Sequence, residues 1–138
     1  MQLVRYLFAA MAALFAVGVV AQVFLAGMAV FGAGSWDDHV EFGYLVAIFP
    51  VLVIPLAALA RAGRGSVWLT VAALVVAQVQ TFLPWFRADV PWIAALHPVN
   101  AMVVFGLAVI IARRALALAR GPLPAAPTTQ PAASSLTR

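Results

Sequence analysis

The first part of the chain is dominated by one long apolar stretch, YLFAAMAALFAVGVVAQVFLAGMAVF, which runs from Tyr6 to Phe31. Gln22 is its only polar interruption, and it holds no charged residue. A hydrocarbon layer about 30 Å thick is crossed by roughly 20 apolar residues in a helix. The stretch is also too long for a signal-peptide core, because apolar sequence continues beyond the small-residue site VVAQ at 19–22. It therefore predicts a membrane-spanning helix.

The composition of the whole chain agrees with this first helix. Hydrophobic residues make up 66% of the 138 residues and charged residues only 9%. So few charges cannot cover the surface of a soluble domain, and we predict an integral membrane protein with no role in nucleic-acid binding. The chain has no cysteine, which excludes disulfides, thiolate metal sites, cysteine nucleophiles and covalently attached c-type haem.

Three further apolar spans follow, separated by charged residues. They are Phe42–Ala60, Ser66–Pro84 and the segment between Asp89 and Arg113. The connections are short, so consecutive helices should be antiparallel neighbours. We predict an all-α fold, an integral membrane four-helix bundle in up-down-up-down order within residues 1–120. Its helices should lie at about 6–31, 36–60, 66–84 and 90–116.

The distribution of arginine predicts the orientation of this bundle. Arg87 falls on one side of the membrane, and the opposite side receives all the others: Arg5, Arg61, Arg64, Arg113, Arg114, Arg120 and Arg138. By the positive-inside rule, both termini of this multi-pass protein should be cytoplasmic. Residues 121–138 are proline-rich without apolar periodicity, which predicts a disordered cytoplasmic tail.

Three of the four acidic residues cluster in the stretch GSWDDHVEFGYL, residues 34–45. Ser35 is suited to cap the second helix, with Asp38 three residues later in a variant of the capping box. Asp37 and Asp38 then fall in the first turn, where the helix dipole favours anions. Glu41 is about 200° around the helix from His39, so these two side chains should not share a face.

The two histidines of the chain, His39 and His97, both fall near the outer ends of their helices, the second and the fourth. Three interpretations are open. Each histidine can be an interfacial side chain that bonds water, lipid or a nearby amide. The pair can be the axial ligands of one haem iron, because diagonal helices of a bundle bring side chains together. The histidines and the acids can instead form an external copper or zinc site.

Several other residues are candidates to complete a haem site. Gly43 and Ala101 lie one turn below His39 and His97, where a flat macrocycle needs small neighbours. Gln78, Gln80 and, deeper, Gln22 are amides that can bond a ligand imidazole, although interhelical hydrogen bonding is their ordinary role. Arg87 can pair with a haem propionate or with Asp89.

Four sequence elements together resemble a family of small uncharacterised four-helix bacterial membrane proteins. They are QVFLAG in helix 1, an acid and His followed by FGYL in helix 2, AQVQ in helix 3, and LHPVNA followed by RRA in helix 4. HPVN is the most specific element. The His positions are also distantly similar to one four-helix half of haem A synthase, which implies His39 and His97 as axial ligands. Val40 stands where that family usually has arginine, so the resemblance implies haem binding rather than hydroxylation.

These observations predict one bis-histidine b-type haem near the external face, in a cytochrome b-like protein. The other half of the membrane contains no histidine, so the protein cannot carry an electron across alone. A six-coordinate iron has no open position for oxygen chemistry, which favours electron transfer or haem handling over enzyme activity. The partners would be membrane lipid and a quinol or external redox protein. The alternative is a cofactor-free integral subunit or assembly factor of a larger complex, packed through small-residue runs such as AAMAAL and GMAVFG.

Overall fold

The computed structural model describes residues 1–121, and within this range the chain is helical with short connections. The helices are α1 (Gln2–Val30), α2 (Trp36–Leu59), α3 (Arg64–Phe82), α4 (Pro91–Ala94) and α5 (Leu96–Arg120), with a 3₁₀ segment at Leu83–Arg87 between α3 and α4. The predicted disordered tail lies, from residue 122 onward, outside the described residues.

Four helical spans are long and apolar enough to cross a membrane: Gln2–Val30, Trp36–Leu59, Arg64–Arg87 and Pro91–Arg120. The all-α four-helix prediction is confirmed, and the spans fit a multi-pass membrane protein. In the bundle, α1 and α3 each pack against both α2 and α5. The pairs α1/α3 and α2/α5 therefore lie on its two diagonals.

Each connection has a local cause. After α1, Gly32 takes a left-handed backbone with φ of 71°, and the next two amides both donate to the carbonyl of Met28. After α2, Arg61 and Gly63 take positive φ values of 55° and 83°. Pro98 cannot donate a hydrogen bond to the carbonyl four residues earlier, so it is tolerated in the first turn of a helix. Accordingly, α5 begins at Leu96, and the span predicted as one helix over 90–116 is divided after α4.

The core between the helices is built mainly of small side chains with a few large ones. Buried alanines line all four long helices and let their backbones approach closely. Phe8 and Phe15 of α1 and Ile111 of α5 are the largest fully buried side chains. Many other large apolar side chains are exposed, as expected where lipid covers the outer surface.

Candidate functional site

The start of α2 is fixed by the predicted cap. The Ser35 hydroxyl accepts a hydrogen bond from the Asp37 amide at 2.9 Å, and the Asp38 carboxylate accepts one from the Ser35 amide at 3.2 Å. Asp37 and Asp38 stay exposed in the first turn, where the helix dipole stabilises them. The acids therefore serve the helix start, and Glu41 is exposed as well.

His39, half-buried at this end of the bundle, is hydrogen-bonded to Gln22 in the C-terminal part of α1. Its Nδ1 lies 3.1 Å from the backbone carbonyl oxygen of Gln22, and the Gln22 amide nitrogen donates in return to the His39 carbonyl. Because a carbonyl only accepts, Nδ1 carries a proton, and in the neutral imidazole Nε2 then keeps its lone pair. The carbonyl and the amide of Gln22 thus fix both the ring and the backbone of His39.

Gly43 makes this approach of Gln22 possible. A Cβ added at Gly43 would lie 2.5 Å from the Gln22 amide nitrogen, far inside contact distance. The other amide atom, Gln22 Oε1, is buried and has no hydrogen-bond partner among the described residues. Gly43 was predicted to leave room for a macrocycle, and in the structure the group that occupies the space beside it is Gln22.

His97 is held in the same manner by the end of α3. Its Nδ1 lies 3.0 Å from the carbonyl oxygen of Gln80, so here too Nδ1 carries the proton. Asn100, one turn along α5, donates to the Gln80 side-chain oxygen at 2.7 Å and to the Val76 carbonyl at 3.0 Å. Asn100 therefore fastens α5 to α3 directly beside His97.

The two imidazoles meet across the α2/α5 diagonal. Their ring centres are 6.2 Å apart, and the ring planes are inclined by 71°. No hydrogen bond to either Nε2 is found within residues 1–121, so each ring keeps one free basic nitrogen. Trp36, the first residue of α2, stands edge-on to His39 with its ring centre 5.8 Å away. The bundle thus gathers its two histidines into one pair.

The pair belongs to an internal repeat. In both hairpins the glutamine precedes its histidine by 17 residues, Gln22 before His39 and Gln80 before His97. The constant shift between the hairpins is 58 positions, the difference between residue numbers 97 and 39. Phe24 and Leu25 recur under this shift as Phe82 and Leu83.

The same shift superimposes the buried positions. Four buried positions of α1 correspond to four of α3: Phe8, Ala12, Phe15 and Val19 to Ser66, Thr70, Ala73 and Ala77. Four buried positions of α2 correspond in the same way to four of α5: Val46, Pro50, Val53 and Ala57 to Val104, Ala108, Ile111 and Ala115. The bundle is therefore two copies of one αα-hairpin, and each copy supplies one imidazole from an equivalent position.

The remaining predicted site residues, Gln78, Ala101 and Arg87, make no hydrogen bond to either imidazole among the described residues. Gln78 donates to the Ala47 carbonyl at 3.1 Å and so joins α3 to α2, its ordinary role. Ala101 is half-buried one turn below His97, and Arg87 is exposed at the end of the 3₁₀ segment. The groups that bond the histidines are the carbonyls of Gln22 and Gln80 rather than the predicted side-chain amides. The repeated 17-residue spacing is the signal that identifies Gln80.

The comparisons with known proteins identify no function. Residues 22–87 match the model of a family of unknown function (DUF6220). That segment begins at Gln22 and contains His39 but ends before His97. The chain has no match among curated proteins and none among solved structures. A match to an uncharacterised family agrees with the predicted resemblance to a small uncharacterised four-helix protein, and the matched segment ends before the HPVN element at 97–100.

Proposed function

We propose that this protein is an integral membrane b-type haem protein, with His39 and His97 as the two axial ligands of one haem. The separation of the rings is the observation that carries the proposal. Two metal–nitrogen bonds of roughly 2 Å each, extended to the centres of the imidazoles, place opposed ring centres roughly 6 Å apart. The 6.2 Å between His39 and His97 fits this requirement.

The protonation of the rings supports the same ligand role. A ligand histidine commonly donates its second ring N–H to a carbonyl, which fixes the tautomer and makes the other nitrogen more basic. The carbonyls of Gln22 and Gln80 accept from Nδ1 in both cases and leave both Nε2 atoms free to bind a metal. Gln22 and Asn100 then hold the two helix backbones in place.

The number of ligands favours haem over copper or zinc. No group of three or more histidine, cysteine or acidic side chains that could hold a metal occurs among the described residues. Zinc sites need three or four protein ligands, whereas a haem iron receives four nitrogens from its porphyrin and needs only two from the protein. The resemblance to one half of haem A synthase predicted from the sequence implies the same two ligands.

Bound haem would supply one-electron chemistry, and this chain would bind it, orient it and limit its access to oxygen by filling both axial positions. Electron transfer or haem handling follows from that arrangement. The bacterial inner membrane, cytoplasmic termini and a quinol or external redox protein as partner are parts of the same proposal. Arg87, at the histidine end of the bundle, is the cation that we assign to a propionate.

A haemin titration of the full-length protein in mild detergent tests the proposal. We expect saturation at one haemin per chain, with a low-spin spectrum. His39→Ala and His97→Ala should each abolish that spectrum or convert it to high-spin, because either change opens a coordination position. Asp37→Ala and Glu41→Ala are matched controls at the same helix end and should leave it unchanged.

Circular dichroism of each variant shows whether its helices remain intact. A helical wild-type protein that takes up no haemin would overturn the proposal in favour of a cofactor-free membrane subunit. Low-spin binding that persists in both histidine variants would also overturn the ligand assignment.

A further inference from the structure

The end of the bundle opposite the histidines, which we call the arginine end, carries a concentration of positive charge. Arg61 and Arg64 flank the short α2–α3 connection. Arg114 reaches the same place from α5, because its guanidinium lies 3.7 Å from where a Cβ on Gly65 would stand. All four acidic side chains belong to the histidine end, so none of them neutralises these arginines.

A cleft of about 510 Å³ opens at this connection. Arg61 and Arg64 supply the charged part of its lining, while Ala57, Val67 and Trp68 supply apolar side chains. Trp68 is largely exposed beside the cleft, and tryptophan favours the boundary between lipid and water. A ligand here would meet both cationic groups and apolar side chains of the membrane-spanning helices.

The backbone of the connection turns sharply between α2 and α3. Arg61 has a left-handed φ of 55°, a conformation that costs free energy in a residue with a side chain. The turn is closed by the Ala62 amide, which donates to the Ala57 carbonyl at 3.0 Å. Gly63 then precedes α3 without any side-chain cap. The first amides of the 19-residue helix α3 therefore open at this connection, where the carbonyl end of α2 offsets their positive charge.

We propose that this cleft binds the phosphate of an anionic membrane phospholipid. Guanidinium groups are preferred partners of phosphate oxygens, which they bind in pairs of parallel hydrogen bonds. A free phosphate ion would use the cationic groups alone, whereas the apolar side chains of Ala57, Val67 and Trp68 match the glycerol and upper acyl region of a lipid. The site is independent of haem, because it lies at the other end of the bundle.

The test measures lipid binding to the full-length protein by native mass spectrometry, with thermal unfolding as a second readout. Phosphatidylglycerol should bind and raise the unfolding temperature, whereas phosphatidylcholine should not. The variant Arg61→Gly, Arg64→Gln should weaken phosphatidylglycerol binding by at least about tenfold, since basic residues at a membrane surface contribute substantially to anionic lipid affinity. The control variant Arg113→Gln, Arg120→Gln removes two arginines from the same end but outside the cleft, and should change binding less than about twofold.

Arg61→Gly separates binding from folding, because glycine accepts the left-handed backbone without strain. That single variant should unfold at the same or a higher temperature while losing lipid affinity. Equal losses in the cleft and control variants would overturn the site in favour of general charge attraction. Competition by millimolar inorganic phosphate as effective as that by the lipid would identify a free-anion site and overturn the lipid assignment.

Discussion

His39 and His97 occupy equivalent positions in two helical hairpins, and their ring centres lie 6.2 Å apart where the hairpins meet. Each ring donates from Nδ1 to the carbonyl of a glutamine 17 residues earlier. Duplication of a hairpin places equivalent residues on diagonal helices, so one histidine per hairpin is enough to create a facing pair. The repeat therefore explains both the pairing of the histidines and their common depth.

Substitution of Gly43 should lower stability, because the Gln22 amide that lies against it would have to move. In Gly43→Ala the new Cβ would meet the Gln22 amide nitrogen at 2.5 Å, displacing Gln22 from the His39 carbonyl. We expect the free energy of unfolding to fall by about 1–3 kcal/mol. Thermal or denaturant unfolding followed by circular dichroism measures it. Gly27→Ala is the matched control, since its Cβ meets no atom within 4 Å.

A double variant tests whether Gln22 is the cause. Once Gln22→Ala has removed the amide, the added methyl of Gly43→Ala has space and should cost little further stability. The two effects should therefore be non-additive, with a coupling of roughly 0.5–3 kcal/mol. Strictly additive losses would show that Gly43 serves another purpose.

Asn100 should matter to the site more than Gln78, although both donate one interhelical bond to a backbone carbonyl. Asn100→Leu also removes the bond to the Gln80 side chain, which fixes the segment that holds His97. Each substitution should lower the free energy of unfolding by about 0.5–1.5 kcal/mol. Only Asn100→Leu should weaken haemin binding in a titration; a matching loss in Gln78→Leu would contradict the special role of Asn100.

The cap of α2 should contribute to stability without determining cofactor binding. Ser35→Ala removes the hydroxyl that accepts from the Asp37 amide, and we expect a loss of about 0.5–2 kcal/mol. Asp37→Asn removes only a charge near the helix dipole and should cost about 0.3–1 kcal/mol. Chemical unfolding compares the two variants, and a larger loss in Asp37→Asn than in Ser35→Ala would contradict this assignment.

The orientation predicted from arginine places both termini in the cytoplasm. Reporter fusions in the 60–63 connection and after Arg120 should both report a cytoplasmic position, because the arginine end carries most of the positive charge. A fusion in the 32–35 connection should report the external side. An external signal from either of the first two fusions would reverse the topology and place the histidine pair on the cytoplasmic side.

The helical spans could be predicted from sequence because hydropathy and the positions of charges report directly on membrane crossing. The ends of the helices were harder to predict. Helix α1 already begins at Gln2, and Pro98 moves the start of α5 to Leu96. The repeat is faint in the sequence because its buried positions differ in size. Phe8 and Phe15 of α1 correspond to Ser66 and Ala73 of α3 on the opposite diagonal corner, so large side chains on one helix complement small ones on the other.

The histidines of the site could be predicted because their side chains are recognisable ligands. Contacts made by backbone atoms could not be predicted, because they do not depend on residue type. Histidine is a recognisable ligand, and two near-equal depths on alternate helices suggested a pair. The groups that bond Nδ1 are backbone carbonyls, which every residue possesses, so the sequence suggests Gln22, Gln78 and Gln80 only for their side-chain amides. The hydrogen bond between Asn100 and the Gln80 side chain forms only when α3 and α5 pack with these residues facing each other. The sequence does not specify that rotation of the helices.

The visible spectrum of the full-length protein, purified from its membrane in mild detergent, tests the central claim most directly. We predict a low-spin b-type haem spectrum with an alpha band that sharpens on reduction, because His39 and His97 together would complete the six ligands of the iron. A colourless protein that remains folded and also fails to bind added haemin would contradict the account.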